Sequence, residues 1–460
     1  MSAAIQYAKQ NHDLWIDHLI KLSSIPSCSF EGFDPIHLDE SAAYVKELMQ
    51  QAGLNNIQYL DCEDAFPYVY GEWLEAGRSQ PTLLLYAHHD VQPPMREEIW
   101  ESPPFIPTLR NGRLYGRGCA DDKSGILVHL ASIQSYLKTS GQCPVNVKVL
   151  IEGEEEIGSP HLNQFLEKHA ETLNCDAVVV IDLQNYVAGT PTLTNSLRGM
   201  LSFEIELSAL EQPLHSGLWG GPLPDPVLGL TKLLASLSDE KGGVVIPRFT
   251  DDVIPPSEEE LKSWNALNFD EQEFKRQAGL LSGCEFPKTK EEVFRKLWRE
   301  PTLTVHAIQG GSKEMCGNVI QNQAWARVGI RLAPNMDPDK SEKMVREYIE
   351  AHCPWGLDMD LNFEPPARPW LAPTNHGIVE KLMAALSSGY NKQAVFAGCG
   401  ATIPLAEPMS EKLGHVPVLL VGIEDPDSKA HSENESLLIS EFEKAIQSQI
   451  HFFENTRVTS

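Results

Sequence analysis

The order of apolar and polar positions predicts alternating helices and buried strands. Residues 3–23 and 37–52 carry apolar side chains at helical spacing. Short strands are predicted at 57–60 and 68–73. In PTLLLYAHHDVQPP, residues 81–94, the run Leu83, Leu84, Leu85, Tyr86 is apolar without alternation. That is the pattern of a strand covered on both faces. It ends in His88, His89 and Asp90, and two prolines then enforce a loop.

The same grammar repeats downstream. Asn111-Gly112 marks a turn, and a glycine-rich loop delivers Asp121, Asp122 and Lys123 ahead of a helix over 124–137. VKVLIEGEEEIGS, residues 147–159, is a β-branched apolar run ending in Glu154, Glu155 and Glu156. A helix over 160–172 leads to DAVVVIDLQN, a buried strand ending at Asp182. Strands alternating with helices, with polar groups at the strand ends, predict an open α/β sheet whose crevice lies at those ends.

At Leu197-Arg198-Gly199 the pattern changes to half-buried alternation. A strand over 200–208, a helix over 225–238, strands at 302–311 and 324–334, a helix near 338–352 and a strand near 356–365 follow. That order is β-α-β-β-α-β, the ferredoxin-like unit. Residues 240–300 interrupt it and read as helices and loops carried on this smaller domain. From about Trp370 the first pattern returns: a helix over 375–388, the glycine-rich turn AVFAGCGATIP, the strand VPVLLVGIE, a loop with His431, and a closing helix over 436–455. The expected organisation is an α/β domain of residues 1–197 and 369–460, with residues 198–368 inserted into it as an α+β domain.

Charge and cysteine usage narrow the partners. The net charge is −27 over 460 residues, with no basic stripe, which argues against nucleic acid. No apolar run is long enough to span a bilayer. The N-terminal stretch is amphipathic and lacks the short apolar core of a signal peptide. Nine cysteines are scattered without a Cys-x-x-Cys pair, as reduced thiols of a cytoplasmic protein would be.

The strand-end residues form one set: His88, Asp90, Asp121, Glu155, Glu156, Asp182 and His431. Clustered carboxylates at buried strand ends repel one another, and bound cations offset that best. Imidazole and carboxylate are zinc ligands. Two metals sharing a bridging carboxylate polarise a carbonyl and generate hydroxide from water at neutral pH. A neighbouring carboxylate that is not a ligand then serves as the base.

HHDVQP, GRGCADDKSG, EGEEEIGS, the Asp182 strand, LRG, HSG, IRLAPNM and AHSENE occur in this order over nearly the whole chain. Together they resemble the dinuclear-zinc peptidase family of carnosinases, glutamate carboxypeptidases, aminoacylases and succinyl-diaminopimelate desuccinylase. The resemblance is nearest to the carnosinase-like dipeptidase branch. It implies that His88 and Asp182 bind one zinc ion, Glu156 and His431 the other, and that Asp121 bridges them. It implies Glu155 as general base and Asp90 as the residue orienting His88. The His-x-Asp spacing favours His88 over His89 as the ligand, with a swap left open. His215 is implied to stabilise the oxyanion from the partner subunit of a homodimer. Arg331 is a candidate for binding the substrate carboxylate, with Asn318, Gly400 and Thr402 as further contacts. Cys119 is read as packing and Lys123 as a loop anchor. The resemblance also implies a cis Asp121–Asp122 peptide.

The resulting expectation is a metal-dependent hydrolase of dipeptides or short peptides. The alternatives are an N-acyl-amino-acid deacylase, such as a desuccinylase or an acetylornithine deacetylase-like enzyme, and a non-catalytic metal- or peptide-binding relative. Asp182 leans toward the first, because in the resemblance glutamate at that place accompanies carboxypeptidases and deacylases.

Overall fold

The computed structural model describes residues 2–458 except Met315 and Pro404. Its largest unit is a nine-stranded mixed sheet. The order is Asn55–Leu60, Tyr68–Trp73, Asn146–Glu152, Thr82–His88, Ala177–Gln184, Val418–Glu424, Thr192–Leu197 and Trp370–Leu371, with Val395–Cys399 also pairing Thr192–Leu197. The four strands from Asn146–Glu152 to Val418–Glu424 run parallel. Asn146–Glu152 and Val418–Glu424 are buried at every position, which is why they read as apolar runs rather than alternations. Helices Ala3–Gln10, Lys123–Ser140, Gly377–Tyr390 and Ile439–Thr456 cover one face. Leu162–Leu173 and Ala406–Lys412 cover the other. Parallel pairing brings the carboxyl ends of the four strands to one edge of the sheet.

Two local readings change. The first helix breaks at Asn11 into Ala3–Gln10 and His12–Ser23. The Asn11 side chain donates to the Tyr7 carbonyl at 2.9 Å, occupying an acceptor of the helix ladder. The strand through Asp182 does not end there. It continues to Gln184, because Leu183 and Gln184 still pair with Gly422 and Glu424.

The smaller sheet is antiparallel, in the order Thr302–Gln309, Gln323–Leu332, Gly199–Ser208, Asp358–Phe363. Pro226–Ser236 and Pro338–His352 contribute to the core over it, which completes the ferredoxin-like unit. The edge strand Thr302–Gln309 is exposed over its last six residues.

Only part of the 240–300 segment decorates the smaller domain as expected: Ile246 and Phe249 join its core, whereas the helices that follow do not. Helices Glu258–Ala266 and Lys290–Trp298 bury Trp264, Val293, Phe294 and Trp298 against Val395 and Ala397 of the large sheet, with Tyr186 packed alongside. Phe294 and Trp298 stack at 4.4 Å. Buried Glu260 accepts from Arg299 at 2.6 Å and from Asn195 of the large sheet at 2.9 Å. Aromatic residues at helical spacing announce that a face is buried, but not which surface buries it. Gly398 permits this contact, since a Cβ there would lie 2.4 Å from the Cβ of Trp298.

Candidate metal centre

The residues of the strand-end set are delivered by several different elements. His88 closes Thr82–His88. Asp121 precedes helix Lys123–Ser140, and the Asp121–Asp122 peptide is cis. Glu155 and Glu156 lie in the single 3-10 turn Glu155–Ile157 that follows Asn146–Glu152. His431 sits in the loop after Val418–Glu424 with φ of 62°.

These residues converge. The Asp121 carboxylate lies between two imidazoles. Its Oδ1 is 3.0 Å from His88 Nε2, and its Oδ2 is 2.9 Å from His431 Nε2. Asp182 Oδ1 lies 3.6 Å from His88 Nε2. Glu156 Oε2 lies 3.2 Å from His431 Nε2. His88, Asp121 and Glu156 form one group close enough to hold a metal ion, and His88, Asp122 and Asp182 form a second. Imidazole nitrogen and carboxylate oxygen suit divalent ions of the zinc, manganese and cobalt type.

The electrostatics fit cations. Burial and the Asp121 charge push Glu156 up to about 7, against the hydrogen bond to His431. Burial, aided by Asp121, pushes Asp182 up to about 6 despite the opposing charge of His88. Burial also raises Glu155 well above the usual carboxylate range, with Asp182 and Glu156 adding to it. His431 rises to about 11, held by hydrogen bonds to Asp121 and Glu156.

Asp90 is a buried hub. Its Oδ1 accepts from the Glu155 N–H at 3.2 Å and lies 3.4 Å from His88 Nδ1. Its Oδ2 accepts from the Glu156 N–H at 3.0 Å and from the Ser29 hydroxyl at 2.7 Å. One carboxylate therefore sets both the His88 ring and the backbone that carries the two glutamates.

Several supporting residues escaped the sequence reading. Gln92 donates its backbone N–H and its side-chain amide to the Glu156 carboxylate at 3.0 and 2.9 Å. Glu435 is fully buried, accepts from the Ala120 and Asp121 N–H groups at 3.0 and 3.2 Å, and pairs with Arg117 at 2.6 Å. Gln92, Arg117 and Glu435 all lie inside the quoted motifs HHDVQP, GRGCADDKSG and AHSENE, so the signal was present. Glu424 is buried, and burial together with Asp121 and Asp182 raises it well above its ordinary value. Nothing in its strand VPVLLVGIE announced it.

Other residues turn away from the cluster. His89 contacts the Pro67 carbonyl at 3.1 Å, so His88 alone of the pair faces the carboxylates. Glu154 accepts from the Tyr68 hydroxyl at 2.9 Å and lies 2.9 Å from His161 Nδ1. Cys119 is buried in the apolar core. Lys123 donates to the Leu22 and Ile25 carbonyls at 3.0 and 2.8 Å, anchoring its loop to the end of helix His12–Ser23.

The remaining candidates form two groups. Arg331 donates to Thr402 Oγ1 at 3.1 Å, Thr402 donates to the Arg198 carbonyl at 2.6 Å, and the Gly400 carbonyl accepts from Arg198 Nε at 3.1 Å. His215 and Asn318 meet elsewhere, at the two-stranded pairing of Leu214–His215 with Val319–Ile320, where the Asn318 carbonyl accepts from the Ser216 N–H. His215 is exposed, and its one hydrogen bond among the described residues is to the Gly217 N–H.

Residues 84–455 match the model of peptidase family M20/M25/M40. The chain is 31% identical over 377 residues to the human Beta-Ala-His dipeptidase, covering 81% of this chain and 74% of that protein. It is 28% identical over 424 residues to the cysteinylglycine-S-conjugate dipeptidase of Corynebacterium striatum, covering 91% and 90%. Among solved structures, a metallo-carboxypeptidase of the M20 family from Sulfolobus solfataricus superposes with a TM-score of 0.81 at 28% identity, covering 96% of this chain and 99% of that one. The family match extends over most of the chain, from the His88 strand to the closing helix, and the chain is a metal-dependent peptidase belonging to peptidase family M20/M25/M40.

Proposed function

We propose that this protein hydrolyses the amide bond of dipeptides at a dinuclear centre. His88 and Asp182 would hold one ion and Glu156 and His431 the other, with Asp121 shared between them; zinc is the favoured metal, and manganese or cobalt would suit the same ligands. The observation that carries this reading is the Asp121 carboxylate, one oxygen turned to each histidine. The dipeptidase names of the human and Corynebacterium striatum relatives support the substrate class.

Bound divalent ions supply Lewis acidity, polarising the scissile carbonyl and making water acidic. The chain does the rest. Glu155 takes a proton from the attacking water and delivers it to the departing amine. Its raised proton affinity suits both halves of that shuttle. Asp90 holds the His88 ring and the Glu155 backbone in register. Arg331 receives the substrate carboxylate, with Gly400, Thr402 and Asn318 as neighbouring contacts.

The domain division is 1–197 with 369–460 as the catalytic part and 198–368 as the insertion. A reduced cytoplasmic setting is supported by nine free cysteines. Among the described residues no helix is long and apolar enough to cross a membrane. Turnover of a dipeptide panel and of N-acyl amino acids by the metal-loaded protein tests the proposal. Hydrolysis of N-acyl amino acids but of no dipeptide would shift the assignment to a deacylase. Metal binding without turnover of either would leave only a binding protein.

The working form is a homodimer through the inserted domain. The exposed edge strand, with Ile308 54% exposed, and the exposed Leu218 and Trp219 of the same inserted part, 79% and 50% exposed, support pairing of two copies. His215 then acts in the partner's site, where it stabilises the oxyanion. Mixing inactive Glu155→Ala and His215→Ala proteins and letting subunits exchange restores activity to roughly a quarter of wild type, because half the dimers are mixed and each carries one intact site. Zero activity after verified exchange excludes action across subunits.

A further inference from the structure

Arg117 and Glu435 are 1% and 0% exposed, two charges buried in the loops that carry the metal-competent residues. Desolvation offsets much of what such a pair gains from itself, so its further hydrogen bonds decide what it does. The Glu435 carboxylate is divided between two tasks. Its Oε2 accepts from Arg117 at 2.6 Å. Its Oε1 accepts from the Ala120 and Asp121 N–H groups at 3.0 and 3.2 Å. The other terminal nitrogen of Arg117 donates to the Pro93 and Ser432 carbonyls, both at 3.1 Å. The pair therefore ties together three loops: the one after His88, the one that delivers Asp121, and the one that carries His431.

These contacts fall unevenly on the two metal positions. Asp121 is held through its own N–H. His431 immediately precedes Ser432, and Glu156 is oriented by Gln92, which immediately precedes Pro93. The pair thus reaches every ligand of the Glu156–His431 position. Of the other position it reaches Asp121 alone, because His88 and Asp182 stand on paired strands of the large sheet. The His431 loop also has the greater need of support. Lys429, His431 and Asn434 have φ of 55°, 62° and 62°. Residues other than glycine keep that left-handed backbone only where surrounding contacts enforce it. The His431 side chain is 57% exposed, so packing does not hold it, whereas His88 is fully buried.

We propose that the Arg117–Glu435 pair is a positioning device for one of the two metal positions. It fixes Asp121 and the His431 loop relative to each other, so that the Glu156–His431 ion depends on it far more than the His88–Asp182 ion does. The inference rests on the dinuclear reading above. Both carboxylate oxygens of Glu435 are already engaged, so it acts through the ligands it holds.

The test titrates cobalt(II) into the metal-stripped full chain, followed by calorimetry and by the visible absorption of each bound ion. Glu435→Gln weakens one ion by about ten- to hundredfold, the loss typical of residues that support ligands, and leaves the other within about threefold. Adding His431→Ala to Glu435→Gln leaves the ion that stayed tight unchanged, and adding Asp182→Ala removes it. Glu435→Gln strands the Arg117 charge in the interior, so the double variant Arg117→Gln, Glu435→Gln is measured beside it. That variant removes both charges together, and glutamine is too short to reach Pro93 and Ser432 as arginine does. The same selective loss is expected from it. Thermal unfolding of the metal-free proteins checks that each variant folds. A merely structural pair would weaken both ions alike. Equal weakening of both, or affinities unchanged in both variants, therefore overturns the proposal, as does failure of both variants to fold. A tight ion that His431→Ala removes also overturns it. If wild type takes up two ions and neither variant discriminates between them, the positioning role falls and the dinuclear reading stands. If wild type saturates at one ion, the dinuclear reading falls and the positioning role falls with it.

Discussion

The Glu155→Ala variant turns over dipeptides about 100- to 10,000-fold more slowly than wild type, the range that a positioned general base contributes. Its metal content stays at two ions per chain. The asymmetry within the pair of adjacent glutamates explains why. Glu156 belongs to a metal-competent group with His88 and Asp121, and its carboxylate is oriented by Gln92. Glu155 joins neither metal-competent group. Its backbone N–H is pinned by Asp90. Elemental analysis after dialysis, alongside turnover of the metal-loaded protein, checks both halves. Loss of metal from Glu155→Ala with retention in Glu156→Ala would reverse the assignment of the two residues.

Asp121→Ala loses both ions and all measurable turnover. One carboxylate facing two histidines from opposite oxygens has no substitute within reach that does the same. The loss is read as fewer than about 0.2 ions per chain at a free-metal concentration that saturates wild type, an occupancy consistent with the ten- to hundredfold affinity losses that follow even from removing residues that support ligands. Retention of one ion per chain would mean that the two positions are independent and that Asp121 serves only one of them. Glu435 does not compensate, because its carboxylate is already engaged by the Ala120 and Asp121 N–H groups and by Arg117.

Much of the metal centre was legible because its chemistry is concentrated in short stretches at strand ends. His88 ends its strand, Glu155 and Glu156 follow theirs by a few residues, and the apolar runs before them are long enough to be read as buried. The supporting residues were harder. Ser29, Gln92 and Glu435 are ordinary polar residues in loops, and only their hydrogen bonds to Asp90, Glu156 and the Asp121 backbone distinguish them. Glu424 was hidden for the opposite reason. It closes a strand that is otherwise apolar, and its proximity to Asp121 and Asp182 depends on which strands are neighbours.

The sequence by itself determined the α/β order and the ferredoxin-like insertion. Hydrophobic periodicity and strand-end polarity are local, and local spacing carries them. Only the tertiary structure decided partnerships. It settled that His88 rather than His89 turns to the carboxylates, that Glu154 turns away to Tyr68 and His161, and that the strand through Asp182 runs on to Gln184. It also settled that helices Glu258–Ala266 and Lys290–Trp298 lie on the large sheet. An aromatic face is equally content on any apolar surface of matching shape, because the hydrophobic effect has no direction. The choice between the two sheets was made by Gly398 admitting Trp298 and by Glu260 reaching Asn195, contacts between residues far apart in the chain that no local pattern encodes.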